Sequence, residues 1–161
     1  MRVPFILLCL AACTQGPVPE PGRTFRDPAA VIASKADLDP ARLAGPWYEV
    51  ARFPPAAPCT TPRVAIRPNG KGFAFDGPCD AGSVGATITG PGRLTFDDGS
   101  ARWVLWTDAG YRTAILAAPD GSAGRILNRD PALPVDRLRA ALEVLDFNGF
   151  QTDALIFAGP P

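Results

Sequence analysis

The sequence predicts an all-β fold: an eight-stranded antiparallel up-and-down barrel with one C-terminal α-helix packed outside it. Three observations point there. Short apolar runs recur between Gly-, Pro-, Asn- and Asp-rich breakers, and the nineteen prolines and sixteen glycines fall between these runs rather than in one tract. A single stretch of helical period follows the last tight turn. Finally, "GPWYEVARFP", residues 45–54, is apolar on both faces. It therefore needs cover on both, which a barrel wall with packing inside and a helix outside supplies.

The chain opens with "MRVPFILLCLAAC", in which Arg2 precedes an apolar run from Val3 to Leu10 and small residues lead into Cys13. This is the outline of a secretory signal. The tetrad Leu10-Ala11-Ala12-Cys13 resembles the bacterial lipoprotein cleavage box. That resemblance implies cleavage before Cys13, acylation of Cys13 and attachment to a membrane. Thr14, where an Asp would retain the protein elsewhere, favours the outer membrane. Each acyl methylene buried in lipid contributes about 0.8 kcal/mol. The plain alternative is an ordinary buried N-terminal strand. The following "TQGPVPEPGRT" has no periodicity and reads as an extended tether. The predicted organisation is a signal peptide over 1–12, an anchor and tether over 13–36, and the barrel domain over 37–161. Within the second segment, Pro28 to Lys35 is compatible with a short helix.

Strands are predicted at Trp47–Phe53, Arg63–Arg67, Gly72–Asp76, Ser83–Thr89, Arg93–Phe96, Arg102–Thr107, Arg112–Ala118 and Gly124–Asn128. Val64 and Ile66 share one face, as do Phe73 and Phe75, and Leu94 and Phe96. In the sixth strand the pattern leaves two parities open, Val104 with Trp106 or Trp103 with Leu105. After Pro134, the spacing of Leu138, Ala141, Leu142 and Leu145 predicts an amphipathic helix, and "ALIFA" a short closing strand.

Cys9 would leave with the signal and Cys13 would take the lipid, so Cys59 and Cys79 remain in an oxidising context. Between them two strand-like runs flank a Pro-Asn-Gly turn, which predicts a hairpin with the two cysteines at its open end. A disulfide closing such a loop stabilises by about 3 kcal/mol in the chain-entropy model. Reactive or metal-binding thiols are the alternative, but neither a CxxC spacing nor a histidine supports them.

The chain has no histidine and a formal net charge of zero. The first fact removes the His-dependent catalytic triads, the usual zinc sites and the commonest general base, which argues against an enzyme. The second gives no reason to expect nucleic acid as a partner. No cofactor is implied.

Three motifs in order then resemble the lipocalin family. "GPWYEVARFP" is similar to the first lipocalin motif, in the form found in bacterial outer-membrane lipocalins, and Asp39 to Leu43 resembles the short turn that plugs the barrel floor. "TDAGY" resembles the second motif, with Thr107, Asp108 and Tyr111. "ILNRDP" resembles the third, with its Arg at Arg129. The resemblance covers residues 38–158. It implies that Gly45, Trp47 and Arg129 build the floor, with Arg129 across the Trp47 indole, a cation–π contact of about 0.5–2 kcal/mol. It also implies a small hydrophobic ligand, a fatty acid or lysophospholipid, inside the barrel. Val64, Ile66, Phe73, Phe75, Leu94, Phe96 and Trp106 are the candidate lining residues. The short hairpins leave a second expectation standing: a barrel filled by its own side chains, acting as a protein-interaction module in the envelope. A third reading, an enzyme, needs Glu49 or Asp76 to project into the cavity.

Overall fold

The computed structural model describes residues 22–54, 63–77 and 82–158. A single helical turn, α1 (Pro40–Leu43), precedes eight strands: β1 (Gly45–Arg52), β2 (Arg63–Asn69), β3 (Gly72–Gly77), β4 (Gly82–Gly90), β5 (Arg93–Phe96), β6 (Ala101–Thr107), β7 (Thr113–Ala117) and β8 (Gly124–Asn128). Helix α2 (Val135–Phe147), a 3₁₀ turn (Thr152–Ala154) and the two-residue β9 (Ile156–Phe157) complete the fold. The strand ends fall within two residues of those the breakers predict.

β1 to β8 pair antiparallel in chain order, and β1 closes the circle. Along one edge it pairs with β8. Along the other it pairs with β2 through Gly45–Tyr48 and with β9 at Ala51 and Arg52. No edge of the eight-stranded wall is left unpaired along its whole length, which removes the usual template for edge-to-edge aggregation.

Strand alternation sorts the apolar residues into two layers. Inside lie Trp47, Val64, Ile66, Phe73, Phe75, Leu94, Phe96, Val104, Leu116 and Leu127, all buried. Outside, Val50, Ala51, Ile115 and Ile126 pack with Ala141 and Leu145 of α2. Fully burying a side chain of this size is worth about 1.5–3 kcal/mol. Leu138 and Leu142, on the predicted apolar face of α2, are half-buried at its margin.

Besides a register shift between Ile88 and Gly90 near the end of β4, two bulges break the alternation. On β1 the register passes from Glu49 opposite Leu127 to Ala51 opposite Ile126, skipping Val50. On β6 it passes from Val104 opposite Leu116 to Trp106 opposite Ile115, skipping Leu105. An extra residue flips every side chain beyond it to the other face. The first bulge therefore turns Arg52 inward, directly opposite Arg125. The second answers the open parity of the sixth strand with neither alternative: Val104 is inside, while Trp103, Leu105 and Trp106 belong to the outer layer.

The folded body starts earlier than the predicted boundary at Asp37. Phe25 is buried and stacks on Phe53 at 5.3 Å, and Phe53 stacks in turn on Phe150 at 5.7 Å. Arg26 donates from Nε to the Asn148 carbonyl at 2.8 Å and also reaches the carbonyls of Pro119 and Ala30. The Lys35 amide donates to the Val104 carbonyl at 2.7 Å. This segment is therefore strapped across the barrel rather than serving as a tether. Between Pro28 and Lys35 it forms a turn, without the helix that the sequence allowed. Cys13, Cys59, Cys79 and the whole signal segment lie outside the described residues.

Candidate functional site

The barrel has two chemically different ends. At the first, α1 and the start of β1 form a floor. Asp39 caps α1, its carboxylate accepting from the Ala41 amide at 2.9 Å, which fixes the turn that aims Leu43 and Trp47 at the axis. Trp47 is fully buried and its indole Nε1 donates to the Leu43 carbonyl at 2.8 Å. The Arg129 guanidinium lies 3.6 Å from the centre of the Trp47 ring. It donates to the carbonyls of Pro46 and Arg42 at 2.8 Å, Ala44 at 2.9 Å, Tyr111 at 3.3 Å and Leu43 at 3.4 Å. Burial lowers the pKa of Arg129, and this ring of acceptors offsets the desolvation. Gly45 has φ +106°, and a Cβ there would stand 3.0 Å from the Arg129 guanidinium. Glycine is thus required twice over at that position.

Asp108 and Tyr111 hold the adjoining turn between β6 and β7. Asp108 Oδ1 accepts from the amides of Arg112 and Thr113, and Oδ2 accepts from Arg112 Nε at 2.8 Å. Burial pulls the Asp108 carboxyl upward, but these donors outweigh it and leave its pKa below the usual carboxylate value. Tyr111 takes a left-handed φ of 54° and its hydroxyl accepts from the Asp39 amide at 2.7 Å, tying the turn to α1. Thr107 is buried beside it, its hydroxyl without a hydrogen-bond partner.

Sequence reasoning missed a polar network that attaches α2 to this end. Thr113 Oγ1 donates to Asn128 Oδ1 at 2.9 Å, and Arg137 of α2 donates to both oxygens at 3.1 and 3.0 Å. Asn128 Nδ2 donates to the carbonyls of Asp130 and Ala132. A polar residue ending an otherwise apolar strand, as in "RILN", was the available signal.

The opposite end, where β1 ends and β8 begins, carries inward-facing charge. Glu49 is buried, forms an ion pair with Arg52 Nε at 3.1 Å and accepts from Arg125 at 3.3 Å. Arg102, on the inner face of β6 beside Leu94, completes the group. A cavity of about 100 Å³ lies here, lined by Arg52, Arg102, Arg125, Phe53, Leu116 and Gly124 among others. Of the candidate lining residues, Val64, Ile66, Phe73, Phe75, Leu94 and Phe96 all face the interior below this cavity. Trp106 is the correction: the Leu105 bulge sends it to the outer layer. Of the two acids considered for catalysis, Glu49 points in and is engaged by two arginines. Asp76 pairs with Arg67 at 2.8 Å on the outer face, the register putting Phe75 inside instead. Among the described residues, no group of three or more His, Cys, Asp or Glu side chains is placed to hold a metal ion.

An eight-stranded antiparallel barrel, stoppered at one end and carrying an external helix, is the architecture that either fills with its own side chains or holds one small ligand. Residues 94–160 match the model of the lipocalin-like domain. Among solved structures, apocrustacyanin C1 and apocrustacyanin C2 are each similar, at 18% identity and a TM-score of 0.56, over 72% of this chain and 76% of theirs. No curated protein sequence matches. The domain match and the solved structures thus agree on a lipocalin-like barrel fold.

Proposed function

We propose that the protein is a lipid-anchored envelope lipocalin that binds a small hydrophobic ligand, a fatty acid or lysophospholipid, from the end bearing Arg52, Arg102 and Arg125. The observation that carries this reading is the gradient along the barrel axis. An apolar inner wall containing Phe73, Phe75, Leu94 and Phe96 runs from a sealed floor to a charged cavity. An amphiphile has the same gradient. Cys13 is the proposed acylation site and holds the chain at the outer membrane, after export and removal of residues 1–12. Cys59 and Cys79 are proposed to form a disulfide in that oxidising compartment. We assign no catalytic role: Glu49, flanked by two arginines, serves as their counter-charge.

A second reading is favoured by one observation. The inner side chains are tightly buried, and the cavity of about 100 Å³ is smaller than the roughly 300–1,000 Å³ of ligand pockets. On that reading the barrel is filled and docks another envelope component.

Native mass spectrometry of the purified full chain, followed by titration with a fluorescent fatty acid, separates the two. A co-purifying lipid or saturable micromolar binding supports the carrier. A clean apo mass without saturable binding supports the filled barrel. Incorporation of labelled palmitate, lost in Cys13→Ser, tests the anchor.

A further inference from the structure

Among the described residues, the large apolar side chains left exposed are Val31 at 83%, Phe147 at 80%, Val135 at 71% and Ile156 at 49%. Single exposed apolar residues are ordinary on a protein surface. Three of these four, however, belong to the end of the barrel where β1 ends and β8 begins. Ile156 of β9 pairs with Arg52, the last residue of β1. Phe147 closes α2 there: the carbonyl of Asn148, which follows it, accepts from Arg26, and Arg26 also donates to Pro119 in the β7–β8 turn. Val31 is held against the same helix end, because the Ala33 amide donates to Asn148 Oδ1 at 2.9 Å. Val135 stands apart, in the first turn of α2 near the floor, where Arg137 reaches Thr113 and Asn128.

The chain enters the fold at this end as well. The Phe25 amide donates to the Gly121 carbonyl, in the β7–β8 turn, at 2.9 Å. From Cys13 to Gly22 the chain advances nine residues, a reach of at most about 30 Å when fully extended. The eight residues of β1 alone span about 27 Å. A chain anchored at Cys13 therefore reaches a bilayer easily with this end turned toward it. Turning the floor toward the bilayer uses nearly the whole reach. We propose that this end is a membrane-docking face, on which Phe147, Val31 and Ile156 enter the interfacial layer of a lipid bilayer. The inference rests on the proposed acylation of Cys13 and goes beyond it by naming the surface that meets the membrane. A bilayer is the occupant because the anchor keeps this end beside lipid, where apolar side chains can leave water without recruiting a second protein. Exposed Asp146 and Asp153 adjoin Phe147 and Ile156, and exposed Arg23 stands near the chain entry. The face thus carries both signs of charge and suits a zwitterionic lipid surface.

The test places the acylated protein, purified from membranes, on phosphatidylcholine vesicles whose acyl chains carry bromine near the head group, where it quenches tryptophan on contact. Tryptophan is added at one position at a time by Phe147→Trp, Val31→Trp and Ile156→Trp, with Val135→Trp as the control at the opposite end. Each of these side chains is exposed, so the fold accommodates the larger ring. The added emission is read as the difference from the parent, whose three tryptophans are common to every variant. The expected result is that bromine quenches at least half of the added emission in the first three variants and leaves that of Val135→Trp unchanged. Equal quenching at both ends, or quenching of Val135→Trp alone, would overturn the assignment of the face. Vesicle-bound protein with no added emission quenched would overturn the docking while leaving the anchor intact. Protein that fails to float with the vesicles would overturn the anchor reading, and with it the docking that rests on it.

Discussion

Both ends of the barrel are built around arginine, and they use it in opposite ways. At the floor, Arg129 lies against Trp47 and donates to five backbone carbonyls of α1, β1 and the β6–β7 turn. Its donors are committed to the fold. At the other end, Arg52, Arg102 and Arg125 line a cavity, and Glu49 pairs with two of them, Arg52 and Arg125. The difference teaches that the residue type alone does not tell glue from receptor. Its place in the fold, against a sealed floor or along a cavity wall, does.

If that contrast holds, the floor should be costly to alter and the charged end cheap. The largest effect is expected for Trp47→Ala, which leaves a cavity under a ring that is fully buried. Denaturant unfolding should show a loss of about 3–5 kcal/mol. Arg129→Ala should follow at about 2–4 kcal/mol, because it orphans several carbonyls and removes the cation–π contact. A change below 0.5 kcal/mol for either would break the comparison.

Asp108→Asn should cost about 1.5–3 kcal/mol at neutral pH by weakening charge-assisted hydrogen bonds to Arg112 and Thr113. The sign of the pH dependence follows from the lowered carboxyl pKa. Its contribution is fully present above the unfolded-state value of about 3.9 and is lost as pH falls through the lower folded value. Unfolding curves across pH 2–6 should therefore be flatter for Asp108→Asn than for the parent.

Much of the fold was legible because strand boundaries are written in breakers, and "PNGKG" or "DDGS" ends a strand whatever the tertiary context. The floor was legible too, since Gly45, Trp47 and Arg129 stand in motifs that resemble those of a known family. The charged cavity was not. Its geometry depends on the Val50 bulge, which turns Arg52 inward, and nothing in "YEVARF" marks that extra residue. The Leu105 bulge likewise made the side of Trp106 unreadable from alternation. The segment from Phe25 to Lys35 was misplaced for a different reason. It is held by one buried ring and by hydrogen bonds to distant carbonyls, which leave no periodic trace.

Smaller effects sharpen the comparison at the charged end. Glu49→Gln should cost about 1–2 kcal/mol, since it removes the counter-charge of two partly exposed arginines. The same change should tighten binding of dodecanoate, so stability and affinity move in opposite directions. Arg102→Gln should lower the unfolding free energy by about 1 kcal/mol, since Arg102 is half-buried and donates to the Ala101 carbonyl.

The most direct test of the division between the two ends is an NMR titration of the isotope-labelled full chain with dodecanoate, reading backbone amides together with arginine Nε–H signals. The account predicts that shifts concentrate on Arg52, Arg102, Leu116 and Arg125, while Leu43, Trp47, Tyr111 and Arg129 stay in place. Shifts centred on Trp47 and Arg129, with the three arginines of the cavity unmoved, would contradict it.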